Sequence, residues 1–107
     1  MGSPEDMDRR DYQPGMEKIV FRLYIAGRAP NSVRAIANLN MLCDEYFPDN
    51  SEVEIIDVLE EPMRAISDSI LATPTLVKVH PQPTRKIIGN LSEKEKVLFL
   101  LGLWEDA

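Results

Sequence analysis

Residues 18–58 most constrain what this chain can fold into, because they read as a strand, a helix and a second strand in direct succession. Lys18-Ile-Val-Phe-Arg-Leu-Tyr-Ile25 is rich in branched and aromatic residues, the pattern of a buried strand. From Val33 to Phe47 the apolar residues Ile36, Leu39, Cys43 and Tyr46 recur at spacings of three and four. That stripe, widened by Ala35 and Leu42, predicts one amphipathic helix. Pro30 suits its first turn, and Asn31 or Ser32 stands where a side chain can cap it. Pro48-Asp49-Asn50 stops the helix, and Val53-Glu-Ile-Ile-Asp-Val58 follows as the second strand. Two strands joined through a helix in one sheet run parallel with a right-handed crossover, so the front of the chain admits very few arrangements.

The remainder continues the sheet with shorter elements. Glu60-Glu61-Pro62 opens a short helix expected to run through Leu71. Ala72-Thr73-Pro74-Thr75-Leu76-Val77-Lys78-Val79 places a proline directly before a strand, and after the turn Pro81-Gln82-Pro83 comes a further strand, Thr84 to Ile88. Gly89-Asn90 breaks the chain again, and Ser92-Glu-Lys-Glu95 matches a capping box for a last helix. Val97, Leu98, Leu100, Leu101 and Trp104 supply that helix with a buried face. The order βαβαββα, with an antiparallel pair at the end, is the thioredoxin-like topology of an α/β domain. Residues 1–17, with Pro4, Pro14, Gly15 and a mixed-charge run from Glu5 to Asp11, read as a flexible leader ahead of a single domain at 18–107.

Charge and composition narrow the function. Eighteen acidic against twelve basic residues give a net charge of −6, which argues against a dedicated nucleic-acid binder. No apolar run is long enough to span a membrane, and the acidic, polar start is unlike a signal peptide. One cysteine in 107 residues allows no intrachain disulfide and suits a reducing cytoplasm.

The residues that carry chemistry are sparse. Thioredoxin-like enzymes place a nucleophilic cysteine after the first strand, where a helix N-terminus lowers its pKa. Here that loop reads Gly27-Arg28-Ala29-Pro30-Asn31-Ser32, with no cysteine and no base beside Ser32. Cys43 falls on the apolar stripe, where a thiol fills space. His80 is the single histidine and stands at a strand end, without the converging ligands that zinc or a nucleophile–base pair needs. Asp57, Glu60 and Glu61 cluster after the second strand, either as a cation or acid–base group or, more simply, as favourable charge at a helix start. Gly27, Gly89 and Gly102 match no phosphate loop. Neither a catalytic residue, a cofactor site nor a metal site is expected. Arg28, Arg34, Arg85 and Lys86 read either as solvated charge or as a basic patch for an acidic partner surface. Pro74 is placed either to hold a cis peptide bond before its strand or to start an edge strand in trans.

Four ordered motifs, Leu23–Ala35, Ile56–Pro62, Ile70–Leu76 and Arg85–Ser92, together resemble the KaiB family, and the likeness runs from about Lys18 to Leu103. The resemblance implies a protein that is not an enzyme and that binds the hexameric ATPase KaiC. It also implies sequestration of KaiA and competition with an output histidine kinase carrying a KaiB-like sensor domain. It further implies a metamorphic fold: a tetrameric resting form of order βαββααβ, and a KaiC-bound form of the thioredoxin-like order, rewired after about Asp57. On that reading Arg28, Arg34, Arg85 and Lys86 are partner contacts, Pro74 is the cis proline, and Leu100 and Gly102 bear on the switch. Clock members carry Gly-Leu-Asp where this chain has Leu100-Leu101-Gly102, and often an acidic tail where it has Glu105-Asp106-Ala107. A simpler timer or stress response with a KaiC-like ATPase therefore stands beside the circadian role. A non-switching thioredoxin-like module and a thiol oxidoreductase are the remaining alternatives.

Overall fold

The computed structural model describes residues 18–103. The expected leader at 1–17, Trp104 and the last three residues lie outside them. The elements follow in the order β1 (Ile19–Ile25), α1 (Pro30–Tyr46), β2 (Ser51–Asp57), α2 (Pro62–Ser67), β3 (Thr75–His80), β4 (Arg85–Ile88) and α3 (Lys94–Leu100). They build a four-stranded mixed sheet in the spatial order β2-β1-β3-β4. β1 pairs with β2 in parallel from Ile19↔Ser51 to Ile25↔Asp57. It pairs with β3 in the antiparallel sense, and β4 returns antiparallel along β3. This is the thioredoxin-like arrangement that the sequence predicts.

Side-chain alternation along the strands divides the interior into layers. Phe21, Leu23 and Leu76 face α1 and α3, where Ala35, Leu39 and Leu42 from α1 and Val97, Leu98 and Leu101 from α3 close the larger core. Tyr24, Ile56 and Val77 face the other way and pack against Ala65 of α2. The stripe read on the first helix is thus its buried face, and Cys43 lies within it.

Local signals resolve in instructive ways. Pro30 occupies the first turn of α1, but Asn31 and Ser32 do not cap it: Ala29 is the N-cap residue and no side chain bonds there. The Ser32 hydroxyl instead accepts a hydrogen bond from the Ala26 N–H at 3.1 Å, tying the preceding turn. The helix expected to reach Leu71 stops at Ser67. Ser69 takes a left-handed φ of 58°, and the Ser69 and Ile70 N–H groups bond back to the Ile66 and Ala65 carbonyls, a Schellman stop. The capping box at Ser92–Glu95 does not form. Glu93 is the N-cap residue of α3, and the Ser92 N–H is held by the Asn90 side chain. The Thr73–Pro74 bond is cis, and Pro74 leads into β3, which lies inside the sheet and not at its edge.

Candidate functional site

The crossover loop between β1 and α1 sits at the carboxyl ends of β1 and β2, where a thioredoxin-like enzyme would hold its nucleophile. In this chain the polar groups at that position secure the backbone. The Asp57 carboxylate accepts from the Gly27 N–H at 3.1 Å and from the Leu59 N–H at 3.0 Å. The Val58 N–H bonds the Ile25 carbonyl at 2.8 Å, so both loops are fastened to the ends of the parallel strands. Gly27 has a φ of 54°, and a Cβ there would meet the Leu59 side chain at 3.3 Å, so a side chain is opposed by both backbone and space. Asp57 is therefore a loop anchor, a role its place among acidic neighbours did not disclose.

The remaining candidate nucleophile is withdrawn from solvent. Cys43 is buried, and that burial pushes its thiol pKa upward, away from the thiolate form that reacts. His80 ends β3 and is exposed. Among the described residues no group of His, Cys, Asp or Glu gathers as a metal site, and no helix is long and apolar enough to cross a membrane.

Beside the crossover loop lies an apolar concavity of about 360 Å³ lined by Val58, Pro62, Ala65, Ile66, Ile70 and Leu71. Its lining is open, with Ile66 exposed and Leu71 93% exposed, and the neighbouring residues Leu59 and Met63 are exposed as well. Exposed apolar side chains gathered in one place mark interaction surfaces more often than chemistry.

The four cations singled out in the sequence do not form one patch. Arg28 in the crossover loop and Arg34 at the start of the second turn of α1 share one end of the sheet, and both are exposed; Arg34 donates to the Asn31 side chain at 3.2 Å. Arg85 and Lys86 stand on β4, the outer strand. The register Phe21↔Lys78↔Arg85 puts them beside the beginning of β1, away from the crossover end. As neighbours on a strand they face opposite sides. Arg85 faces the α3 side, near Gly102, while the Lys86 ammonium donates to the Asp68 carbonyl at 2.6 Å on the α2 side. Leu100 is exposed in the last turn of α3, and Gly102 follows with a φ of 74°, stopping that helix through Gly102 and Leu103 bonds to the Phe99 and Leu98 carbonyls.

Two further features carried no local signal. A polar network joins α2 to the sheet. Arg64 holds Glu54 through paired bonds of 2.7 and 3.0 Å, while Arg22 reaches Asp68 at 3.1 Å and Tyr24 donates its hydroxyl to the same carboxylate. Burial, then the hydrogen bond to Asp68, pushes the Tyr24 pKa up to about 12. The same bond, with Arg22 and Arg64 nearby, holds the Asp68 carboxyl below its ordinary value. The second is Lys78, only 2% exposed and directly opposite Arg85 in the ladder, with no hydrogen bond or ion pair to its ammonium among the described residues. Burial and the facing guanidinium push its pKa down.

Comparison with known proteins gives this surface a context. Residues 22–103 match the family model described as the KaiB domain. The "Circadian clock oscillator protein KaiB" of a Cyanothece species is 50% identical over 90 residues, covering 84% of this chain and 86% of that relative. The protein of that name from Microcystis aeruginosa is 54% identical over 84 residues, covering 78% and 81%. The "Circadian clock protein KaiB3" of a Synechocystis species is 52% identical over 88 residues, covering 82% and 84%. Among solved structures the fold is similar to the N-terminal domain of Synechococcus elongatus SasA, with a TM-score of 0.65, 19% identity and coverage of 85% and 90%. It is also similar to chloroplastic thioredoxin z, with a TM-score of 0.66, 18% identity and coverage of 94% and 89%. The structural likenesses bear on the fold alone, whereas the sequence matches carry the family: the chain belongs to the KaiB family of circadian clock proteins.

Proposed function

We propose that this chain is a non-enzymatic clock or timer adaptor that binds a KaiC-like hexameric ATPase and modulates its phosphorylation cycle and output. The observation that carries the reading is the family match over residues 22–103 combined with a crossover loop whose polar groups are occupied in holding the backbone. Binding draws on Arg28 and Arg34 at the crossover end and on Arg85 and Lys86 at the outer strand, two separate cationic contacts for an acidic partner surface. A KaiA-like protein or an output histidine kinase competes for or joins the complex, in the cytoplasm. The adaptor rests as a homo-oligomer, a tetramer in the family's manner with a dimer as the alternative, with residues after about Asp57 paired in the order βαββααβ. Pro74, Leu100 and Gly102 lie in the segment that rewires.

The test is a pull-down with the host's KaiC-like ATPase, with and without ATP, followed by NMR secondary shifts of residues 91–103 free and bound. Binding that develops over minutes to hours, with the free form lacking helix at 94–100, supports the adaptor and its switch. Helix in both states with immediate binding favours the non-switching module, and absence of any complex removes the adaptor reading. Thiol-dependent disulfide reduction that Cys43→Ser abolishes would favour the oxidoreductase instead.

A further inference from the structure

The outer edge of β4 carries an imbalance that nothing else among the described residues answers. β4 is only four residues long, Arg85–Ile88, and one of its edges faces no strand. Beside it runs a groove of about 420 Å³ between β4 and α3, with Ile87, Leu91, Val97 and Leu100 among its walls. Ile88 is 64% exposed on the opposite face of the strand. The chain has a net charge of −6, yet this edge gathers cations: Arg85 and Lys86 on β4 and Lys96 across the groove, with Lys78 buried on the neighbouring strand. Glu93 is the acidic residue lining the groove, and it is paired with Lys96 at 3.9 Å. Lys78 lies buried against Arg85 without a counter-charge among the described residues.

We propose that the β4 edge is a docking strand for an acidic, extended segment of a partner protein, in which two adjacent carboxylates are followed or preceded by two apolar residues. The pattern follows from the strand itself. A segment added beside β4 makes main-chain bonds to its free edge, and its side chains alternate between the two sheet faces. Carboxylates then fall beside Arg85 on one face and Lys86 on the other, and apolar side chains beside Ile87, over the groove, and beside Ile88. A second copy of this chain is a poor occupant: two β4 edges paired antiparallel set Arg85 against Ile88 and Lys86 against Ile87, so no carboxylate meets either cation, and each copy carries the same net negative charge. A nucleic acid is repelled by that net charge and leaves the apolar wall unused. The proposal rests on the reading of Arg85 and Lys86 as partner contacts and names the chemistry of the segment they grip.

The experiment is an amide NMR titration of the full chain with two synthetic eight-residue peptides, one containing Glu-Glu-Val-Val and one the reversed order, at low salt. Saturable shifts confined to residues 85–91 and 96–100, with slowed amide exchange across Arg85–Ile88, are the expected result. Charge reversal in Lys86→Glu, or raising the salt, is expected to weaken binding about tenfold, the effect of losing roughly 1.4 kcal/mol of charge complementarity. A peptide with lysines in place of the glutamates should leave the spectrum unchanged. Shifts centred on Gly27–Arg34, no saturation at millimolar peptide, equal binding of the lysine peptide, or tighter binding of an oligouridine at the same amides would each overturn the proposal. Because the wild-type map needs no substitution, a misfolded variant does not blunt it. The mixture contains no ATPase, so its failure and a failed pull-down are separate results.

Discussion

The front and back of this domain hold together by different means. In β1-α1-β2 the elements are long for so small a domain, with seven, seventeen and seven residues. The parallel strands carry complementary charges, with Lys18 near Glu52 at 3.7 Å and Arg22 near Glu54 at 3.6 Å. The back is built from elements of six, six, four and seven residues. Ser69 and Leu91 both adopt left-handed backbone there, against Asp49 in the front, a conformation that costs an L-residue about 1–2 kcal/mol. Lys78 is buried opposite Arg85, and Leu59, Met63, Ile66, Leu71, Ile88, Phe99 and Leu100 are exposed. Where local preference, charge and burial agree, a segment has one good arrangement; where they conflict, a second pairing needs to gain only a few kcal/mol. That contrast makes the back half the place to look for rearrangement, and it can be tested residue by residue.

The largest effect should come from the front core. Leu39 is fully buried among Phe21, Leu23 and Leu98 in the larger core, and Leu39→Ala should cost about 3 kcal/mol. Denaturant unfolding should show that loss as global, with hydrogen exchange accelerated in both halves. Exchange accelerated only after Asp57 would reverse the assignment of the rigid half.

The front half was legible in the sequence because its signals are local: a 3.6-residue stripe, a branched strand on either side and a proline at a helix start all refer to neighbours in the chain. Much of the back was also placed correctly, down to the proline entering β3. What escaped was long-range. Asp68 meets Arg22 across 46 residues, and Asp57 reaches Gly27 across 30, so neither role leaves a trace in its own segment. The capping box was legible and still did not form, because the left-handed turn at Leu91 and the bond from Ser92 to Asn90 redirect the chain before it can close. Of the candidate surface, the four cations are legible in the sequence, but the strand alternation that separates them depends on register.

The next effect concerns the network binding the two halves. Asp68→Asn weakens the bonds from Tyr24 and Arg22 and should cost about 2 kcal/mol, since hydrogen bonds to charged groups are worth roughly 1.5–3 kcal/mol. The pH dependence has a definite sign at each end. The folded Asp68 pKa is depressed, so its stabilisation is present above the unfolded value and fades as pH falls through the lower folded one. The folded Tyr24 pKa is raised from 10.0 to about 12, so its stabilisation is present below pH 10 and fades as pH rises from there towards 12. Tyr24→Phe should remove the alkaline slope seen in paired denaturation curves. An unchanged slope would mean that the two halves are not joined through this hydroxyl.

Lys78 offers an effect of opposite direction. Replacing the buried ammonium, which has no partner among the described residues, with an apolar side chain of similar length, Lys78→Met, should stabilise this arrangement by about 1 kcal/mol, the lower range for relieving a buried polar group. The gain should appear as a raised denaturation midpoint with an unchanged slope. A loss of stability instead would show that the Lys78–Arg85 pairing is not a source of conflict in the back half.

The smallest effect is the most specific to this set of hydrogen bonds. α2 and α3 end in the same Schellman geometry, but α3 has Gly102 at the left-handed position and α2 has Ser69. Glycine tolerates that backbone without a Cβ penalty, so Ser69→Gly should stabilise and Gly102→Ser destabilise, each by about 0.5–1 kcal/mol. No atom lies within 3.9 Å of a Cβ placed on Gly102, so the expected loss there arises from the backbone and not from a clash. Both changes matter only while these helix ends exist as described, so their effects on stability measure how much of the population holds this arrangement. If the back half spends its time in another pairing, the two substitutions should instead shift the NMR populations of residues 62–103 in opposite directions, with little change in the global midpoint. Opposite shifts of the midpoint with one set of resonances would show that the back half, despite its conflicts, holds this single arrangement in the free protein.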